Sequence, residues 1–167
     1  LTGFTSLTQR LTPTELSELL AEFAGAVNHV VLAEGGSIDK FIGDAIMVEF
    51  GSPLPVADHA IRGVRAALAL RAVAEEFADW MQQRFPGRDL PEFAVGIGLH
   101  SGEAVIGNIG SQARMEFTAI GDTVNLAARL EAHTKVAGRP LLVDGATRAA
   151  LGEGCRADAL GQVLFKG

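Results

Sequence analysis

Ser37-Ile38-Asp39-Lys40-Phe41-Ile42-Gly43-Asp44-Ala45-Ile46-Met47-Val48-Glu49-Phe50 is the stretch on which the fold turns. Two runs rich in Ile, Phe and Val flank Gly43-Asp44, a hairpin signal with the glycine and aspartate at the turn. Upstream, Thr12-Pro13-Thr14-Glu15 offers an N-cap, a proline at the first helical position and a carboxylate three residues after the cap. A helix is predicted from there to about Ala33. Its apolar face is Leu16, Leu19, Leu20, Phe23, Val27 and Val30, and Gly35-Gly36 ends it. Downstream, a helical pattern runs from about Ala57 to Arg84, with Ile61, Val64, Ala67, Leu68, Val73 and Phe77 available to a buried stripe, and stops at Pro86-Gly87.

The remainder alternates. Phe93 to Leu99 and Ala104 to Ile106 read as two strands joined at Ser101-Gly102-Glu103, and Phe117 to Ile120 as a short third. Asp122 is expected to cap a helix ending near Gly138. Leu141 to Val143 reads as a strand, Gly145 to Leu151 as a short helix and Leu160 to Phe165 as a last strand. Interleaved strands and helices place the chain in the α/β or α+β classes.

Composition narrows the function classes. A chain of 167 residues, 48% hydrophobic and 20% charged, suits one globular domain with a proper core. The net charge of −6 comes without clustered Lys and Arg, which argues against a nucleic-acid partner. Any nucleotide site must gather its cations locally. Cys155 is the only cysteine, so an intrachain disulfide and the Cys-rich zinc patterns are excluded, and a reducing, cytoplasmic setting fits. No run reaches the roughly eighteen consecutive apolar residues of a membrane span. The chain opens on Leu1 and closes on Lys166-Gly167 directly after a strand-like pattern, which reads as a single domain, 1–167, cut at both ends, with regulatory domains expected outside it.

Candidate chemistry concentrates in two places. Gly96-Ile97-Gly98 followed by Gly102 lacks dinucleotide-fingerprint spacing and reads as strand glycines admitting close backbone approach. No Walker-type Gly-Lys-Ser/Thr occurs. Asp44, on a turn between apolar strands, is explained by turn chemistry or by holding a hard divalent cation, for which Mg²⁺ takes one or two such oxygens. Lys40 is a solvated cation or a substrate contact. Asn125 and Arg129, four apart, share one helix face, where they are solvent-exposed polar residues or a donor pair for an oxygen that gains negative charge. His29, His59, His100 and His133 show no paired metal spacing and read as structural or surface residues.

Taken in order, several blocks resemble the class III nucleotidyl cyclases: Gly3-Phe4-Thr5-Ser6-Leu7, Asp39 to Asp44, Val95 to Glu103, Phe117 to Glu131, Leu160-Gly161 and Lys166-Gly167. The resemblance spans essentially the whole chain. It implies an α+β fold with a ferredoxin-like βαββαβ core related to the polymerase palm, and a homodimer with two composite sites. By position, Asp44 corresponds to one of two metal-binding aspartates, the other falling immediately before Leu1. Leu1 corresponds to a backbone carbonyl in the metal shell, Phe4 and Thr5 to backbone contacts with the triphosphate, and Lys166 to a phosphate-binding lysine, with Arg114 a further source of charge.

Lys40 and Thr118 resemble the adenine-selecting pair, with Thr118 in place of the commoner aspartate, as in a subgroup sensitive to bicarbonate or carbon dioxide. Asn125 and Arg129 correspond to the transition-state pair. The implied activity is an adenylate cyclase that converts ATP to 3′,5′-cyclic AMP and pyrophosphate with two Mg²⁺ or Mn²⁺ ions. Two alternatives stay open: a catalytically silent cyclase homology domain for dimerisation or nucleotide sensing, and a guanylate cyclase.

Overall fold

A computed structural model describes residues 1–165. Two helices come first, α1 (Phe4–Arg10) and α2 (Pro13–Ala33), followed by the hairpin strands β1 (Ser37–Ile42) and β2 (Ala45–Glu49) and then α3 (His59–Arg84). Strands β3 (Ile97–Leu99), β4 (Val105–Ser111) and β5 (Arg114–Ile120) follow, and the chain continues through α4 (Asp122–Ala137), β6 (Leu141–Val143) and α5 (Gly145–Ala150). The expected α+β class holds. Thr2 bridges Ala94 in the antiparallel sense, just ahead of β3. Counting Thr2 as the first strand, the order Thr2, α1–α2, β1, β2, α3, β3 is the βαββαβ succession.

The start of α2 is the predicted capping box. Thr12 Oγ1 accepts from the Glu15 N–H at 3.3 Å, and Glu15 Oε2 accepts from the Thr12 N–H at 2.8 Å. Arg88 adds an ion pair to Glu15 at 2.6 Å. These hydrogen bonds, that of the Thr12 backbone first, hold the Glu15 carboxyl down at about 2. By length and composition α2 could cross a membrane. Here its apolar side is spent on the core: Leu19, Phe23, Val27 and Val31 pack with Ala74, Phe77, Met81, Phe85 and Phe93. The Phe23, Phe77 and Phe93 rings meet at centroid distances of 4.9–5.3 Å in tilted and edge arrangements, the geometry aromatic quadrupoles favour.

Several expectations are corrected. Leu68 is 49% exposed, while the buried face of α3 keeps the expected Val64, Ala67 and Phe77 and adds Ala60, Gly63, Ala74 and Met81. β3 and β4 follow one another but do not pair. β3 lies parallel to β6, whereas β4 extends to Ser111 and forms an antiparallel ladder with β5, Val105 opposite Ile120 through Ser111 opposite Arg114. The long ladder was hidden because Gly107, Asn108, Gly110 and Ser111 carry little strand propensity. Asp122 is the first helical residue of α4, not its cap. Gly121, at φ 142°, occupies the cap position without a side-chain bond, and Asp122 adds only its charge to the first turn. Leu160–Phe165 forms no strand, since its backbone finds no ladder partner among the described residues.

Gly98 determines where α4 sits. A Cβ built there would run into the backbone of α4 at Ala127 O, Leu130 C and Glu131 N. Gly96 is similarly crowded by Thr134 and Glu131 side chains. The strand glycines therefore admit close backbone approach, as their spacing suggests. A Gly98→Ala substitution is expected to destabilise the fold by about 1–3 kcal/mol, because helix backbone cannot yield as a side chain would. Gly25→Ala, mid-helix with open space around it, should instead stabilise by about 0.5–1 kcal/mol. Urea unfolding of the two variants checks the contrast.

Candidate active site

The hairpin carries two separate groups of polar side chains. At its tip, Gly43 adopts the left-handed conformation, φ 61°, which tightens the turn and leaves the Asp44 side chain 33% exposed. The amino nitrogen of Leu1 lies 3.0 Å from Asp44 Oδ2 and 3.5 Å from its carbonyl oxygen. A residue joined to Leu1 would therefore stand one peptide bond from the Asp44 carboxylate. Leu1, Phe41, Gly43 and Asp44 line one small cavity of about 230 Å³ together with Phe23 and Ala24 of α2. Phe4 and Thr5 begin α1, where Gly3 at φ 77° takes the cap position, and N–H groups in a first helical turn have no intrahelical acceptor.

The Leu1 nitrogen lies at hydrogen-bond distance from Asp44 Oδ2, which sets the Leu1 backbone beside that carboxylate. Carboxylate and backbone oxygens are the donor types a hard divalent ion takes, so Asp44 and Leu1 fit such a role. Among the described residues no cluster of three or more His, Cys, Asp or Glu forms. An ion held mainly by phosphate and water does not need one.

The second group lies further down β1. Ile38 pairs with Val48 but Lys40 pairs with Met47, so Asp39 is an extra residue in the ladder, a β-bulge. Strict alternation is broken there, and neighbouring Asp39 and Lys40 both reach β5. Asp39 Oδ2 accepts from the Thr118 hydroxyl at 2.6 Å and from the Ala119 N–H at 3.2 Å. Lys40 Nζ stands 3.1 Å from Glu116 and 3.7 Å from Asp39 Oδ1. Glu116 also pairs with Arg114 at 2.7 Å, and the Arg114 and Lys40 hydrogen bonds, Arg114 first, hold the Glu116 carboxyl below its ordinary range. Asp39, Lys40, Phe41, Arg114, Glu116 and Phe117 line an open cavity of about 440 Å³.

Lys40 and Thr118 are thus brought together, and Asp44 with Leu1. The two groups line different cavities that share only Phe41. Arg114 falls in the Lys40 cavity. Asn125 and Arg129 lie on α4, whose first turn is tied down by the Thr123 hydroxyl donating to Glu103 O at 2.5 Å. Asn125 is exposed and Arg129 half-buried, and among the described residues Arg129 makes no hydrogen bond or ion pair. Lys166 lies outside the described residues. His100 pairs with Asp144 at 2.8 Å, and Asp144 in turn caps α5, in keeping with a structural histidine.

Asp39 is the residue that pattern reading passed over, although it stands in the quoted hairpin. Aspartate fits a strand interior poorly, and that misfit was the available signal.

Over residues 1–167 the chain matches the adenylate and guanylate cyclase catalytic domain family. Adenylate cyclase 1 of Rhizobium meliloti (strain 1021) is 36% identical over 164 residues, 98% of this chain and 24% of the relative. An adenylate cyclase of Anabaena cylindrica is 33% identical over 141 residues, 84% of this chain and 27% of the relative. The chain thus spans about a quarter of the length of these relatives. Among solved structures, the guanylyl cyclase Cya2 is 32% identical with a TM-score of 0.89, covering 100% of this chain and 82% of that one. The adenylyl cyclase CyaB from P. aeruginosa is 31% identical, also at 0.89, covering 99% and 83%.

Proposed function

The chain belongs to the adenylate and guanylate cyclase catalytic domain family, and from that premise we propose that it is an adenylate cyclase making 3′,5′-cyclic AMP and pyrophosphate from ATP between two copies of itself. Likeness to an adenylyl and a guanylyl cyclase is equally close, so base choice has to be argued from the cavity residues. The observation that carries the adenine reading is the convergence of Lys40 and Thr118 on Asp39 beside the larger cavity. An ammonium can only donate, which suits the ring nitrogen N1 of adenine and opposes the N1–H of guanine. Guanine would need a free carboxylate for its N1–H and amino group. Of the carboxylates lining the cavity, Asp39 is held through Oδ2 by Thr118 and Ala119, and Glu116 is paired with Lys40 and Arg114.

Division of the site between two chains is supported by the placement of Asp44 and Lys40 in different cavities of one chain. Exposed apolar side chains supply a reason to associate. Phe41, Ile42, Val105, Met115 and Phe117 are each more than half exposed on the two hairpins, surface that a second copy would cover.

In the proposed reaction the ribose 3′-hydroxyl gives up its proton to solvent and its oxygen forms a bond to the α-phosphorus as the bond from that phosphorus to the α,β-bridging oxygen breaks and pyrophosphate departs. Mg²⁺ or Mn²⁺, held by Asp44 and the Leu1 carbonyl with an aspartate joined to Leu1, would lower the cost of negative charge on the attacking and leaving oxygens. The first-turn N–H groups of Phe4 and Thr5, together with Lys166, bind the polyphosphate. Asn125 orients the ribose. Arg129 offers its fixed fork of donors to the α-phosphoryl oxygens, where charge accumulates, and its freedom from ion pairs among the described residues leaves it available for that task.

A chain extended upstream of Leu1 and supplied with Mn²⁺ is expected to convert ATP at least about tenfold more efficiently than GTP, the scale of one well-made base contact. Equal or reversed kcat/KM values would overturn the adenylate reading, and no product from either nucleotide would favour a silent homology domain. Arg129→Ala is expected to lower kcat about a hundredfold or more with the dimer intact, as for loss of a transition-state donor. Near-normal turnover would remove Arg129 from the chemistry.

A further inference from the structure

Threonine is an ambiguous reader of purines. Its hydroxyl can accept from the adenine amino group or donate to the guanine carbonyl oxygen O6, and free rotation about the C–O bond permits either. A site that reads the base through Thr118 therefore needs something to decide where the hydroxyl proton points. The structure contains such a device. Asp39 is 2% exposed at its side chain, sits on the bulge of β1 and accepts the Thr118 proton at 2.6 Å on Oδ2. The same oxygen accepts the Ala119 N–H at 3.2 Å, which pins the carboxylate against β5. Among the described residues, the other group within the hydroxyl's reach, Ala119 O at 3.4 Å, is also an acceptor.

Asp39 Oδ1 is buried and, among the described residues, has no hydrogen-bond partner, with Lys40 Nζ standing 3.7 Å away. A carboxylate buried with one oxygen unmet is costly to keep and has to be offset by what it organises.

We propose that Asp39 is a positioning residue for base selection, which holds the Thr118 hydroxyl proton inward so that its oxygen offers only lone pairs to the nucleotide. Adenine, presenting an amino donor there, is accepted. Guanine, presenting O6, meets an acceptor opposite an acceptor. This inference rests on the reading of Lys40 and Thr118 as the base-reading pair.

The test measures kcat/KM for ATP and GTP in the dimeric enzyme extended upstream of Leu1, for wild type, Asp39→Ala, Asp39→Asn, Thr118→Val and the Asp39→Ala/Thr118→Val double variant. Asp39→Ala is expected to reduce the ATP-to-GTP ratio about tenfold or more, chiefly through KM. Asp39→Asn should restore most of it, because the amide oxygen can still accept both donors. In the Thr118→Val background, Asp39→Ala should leave the ratio within about twofold, since coupled residues are not additive.

If Asp39→Ala lowers the two nucleotides in equal proportion, Asp39 is structural only and the proposal fails. An equal change of ratio with and without the Thr118 hydroxyl overturns it as well. Should Asp39→Ala give no soluble dimer, Asp39→Ser, too short to reach Thr118 but still polar, is measured by the same ratio and judged by the same outcomes. A wild type without preference for ATP contradicts the adenylate reading itself, and the proposal with it. A wild type that prefers ATP beside an Asp39→Ala variant with the same ratio sinks only the proposal.

Discussion

In a regular strand Asp39 and Lys40 would project to opposite faces of the β1–β2 hairpin, and only one of them could reach β5. The extra residue between Ile38 and Lys40 removes that constraint. With it, one carboxylate ties β1 to Thr118 and Ala119, and the adjacent lysine reaches Glu116 on the same strand. The hairpin is thereby locked to the β4–β5 ladder on one flank, while its tip, tightened by Gly43, holds Asp44 against the start of the chain. Every group assigned to metal or base depends on that short ribbon having two differently directed ends.

The rest of the fold fixes the ribbon in space. Buried side chains of α2 and α3 form the main core, with Ile38, Ile46 and Val48 of the hairpin packed against it. On the other side, Gly98 lets the backbone of α4 approach β3 more closely than any side chain would allow, which sets the depth at which Asn125 and Arg129 stand. Glycine is needed at that position for contact, whereas at Gly43 it is needed for a backbone angle.

Much of this was legible in the residues, for identifiable reasons. The capping box at Thr12–Glu15, the hairpin turn at Gly43-Asp44 and the ends of the long helices rest on local chemistry, and local chemistry is what a sequence displays. The partner of β3 was not legible, because a parallel pairing with β6 joins segments more than forty residues apart with no short signal between them. Nor was the length of the β4–β5 ladder, whose Gly and Asn residues contradict strand propensity and are overruled by cross-strand hydrogen bonding. Within the site, Lys40, Asp44 and Thr118 were found by their resemblance to a family pattern. Asp39 was missed because its importance comes from a bulge, and a bulge depends on how two strands register.

The two ends of the hairpin place the groups of the proposed site apart in one chain. Asp44 lines one cavity and Lys40 another, and in the proposed dimer each chain would give its tip to one site and its bulge to the other. The most direct test mixes two variants that are each inactive, Asp44→Ala and Lys40→Ala, under distinct tags, and isolates the heterodimer. A composite arrangement places both lesions in one site and leaves the other whole, so the heterodimer should regain about half the wild-type cyclic AMP formation. A heterodimer that forms and stays as inactive as its parents would contradict the account.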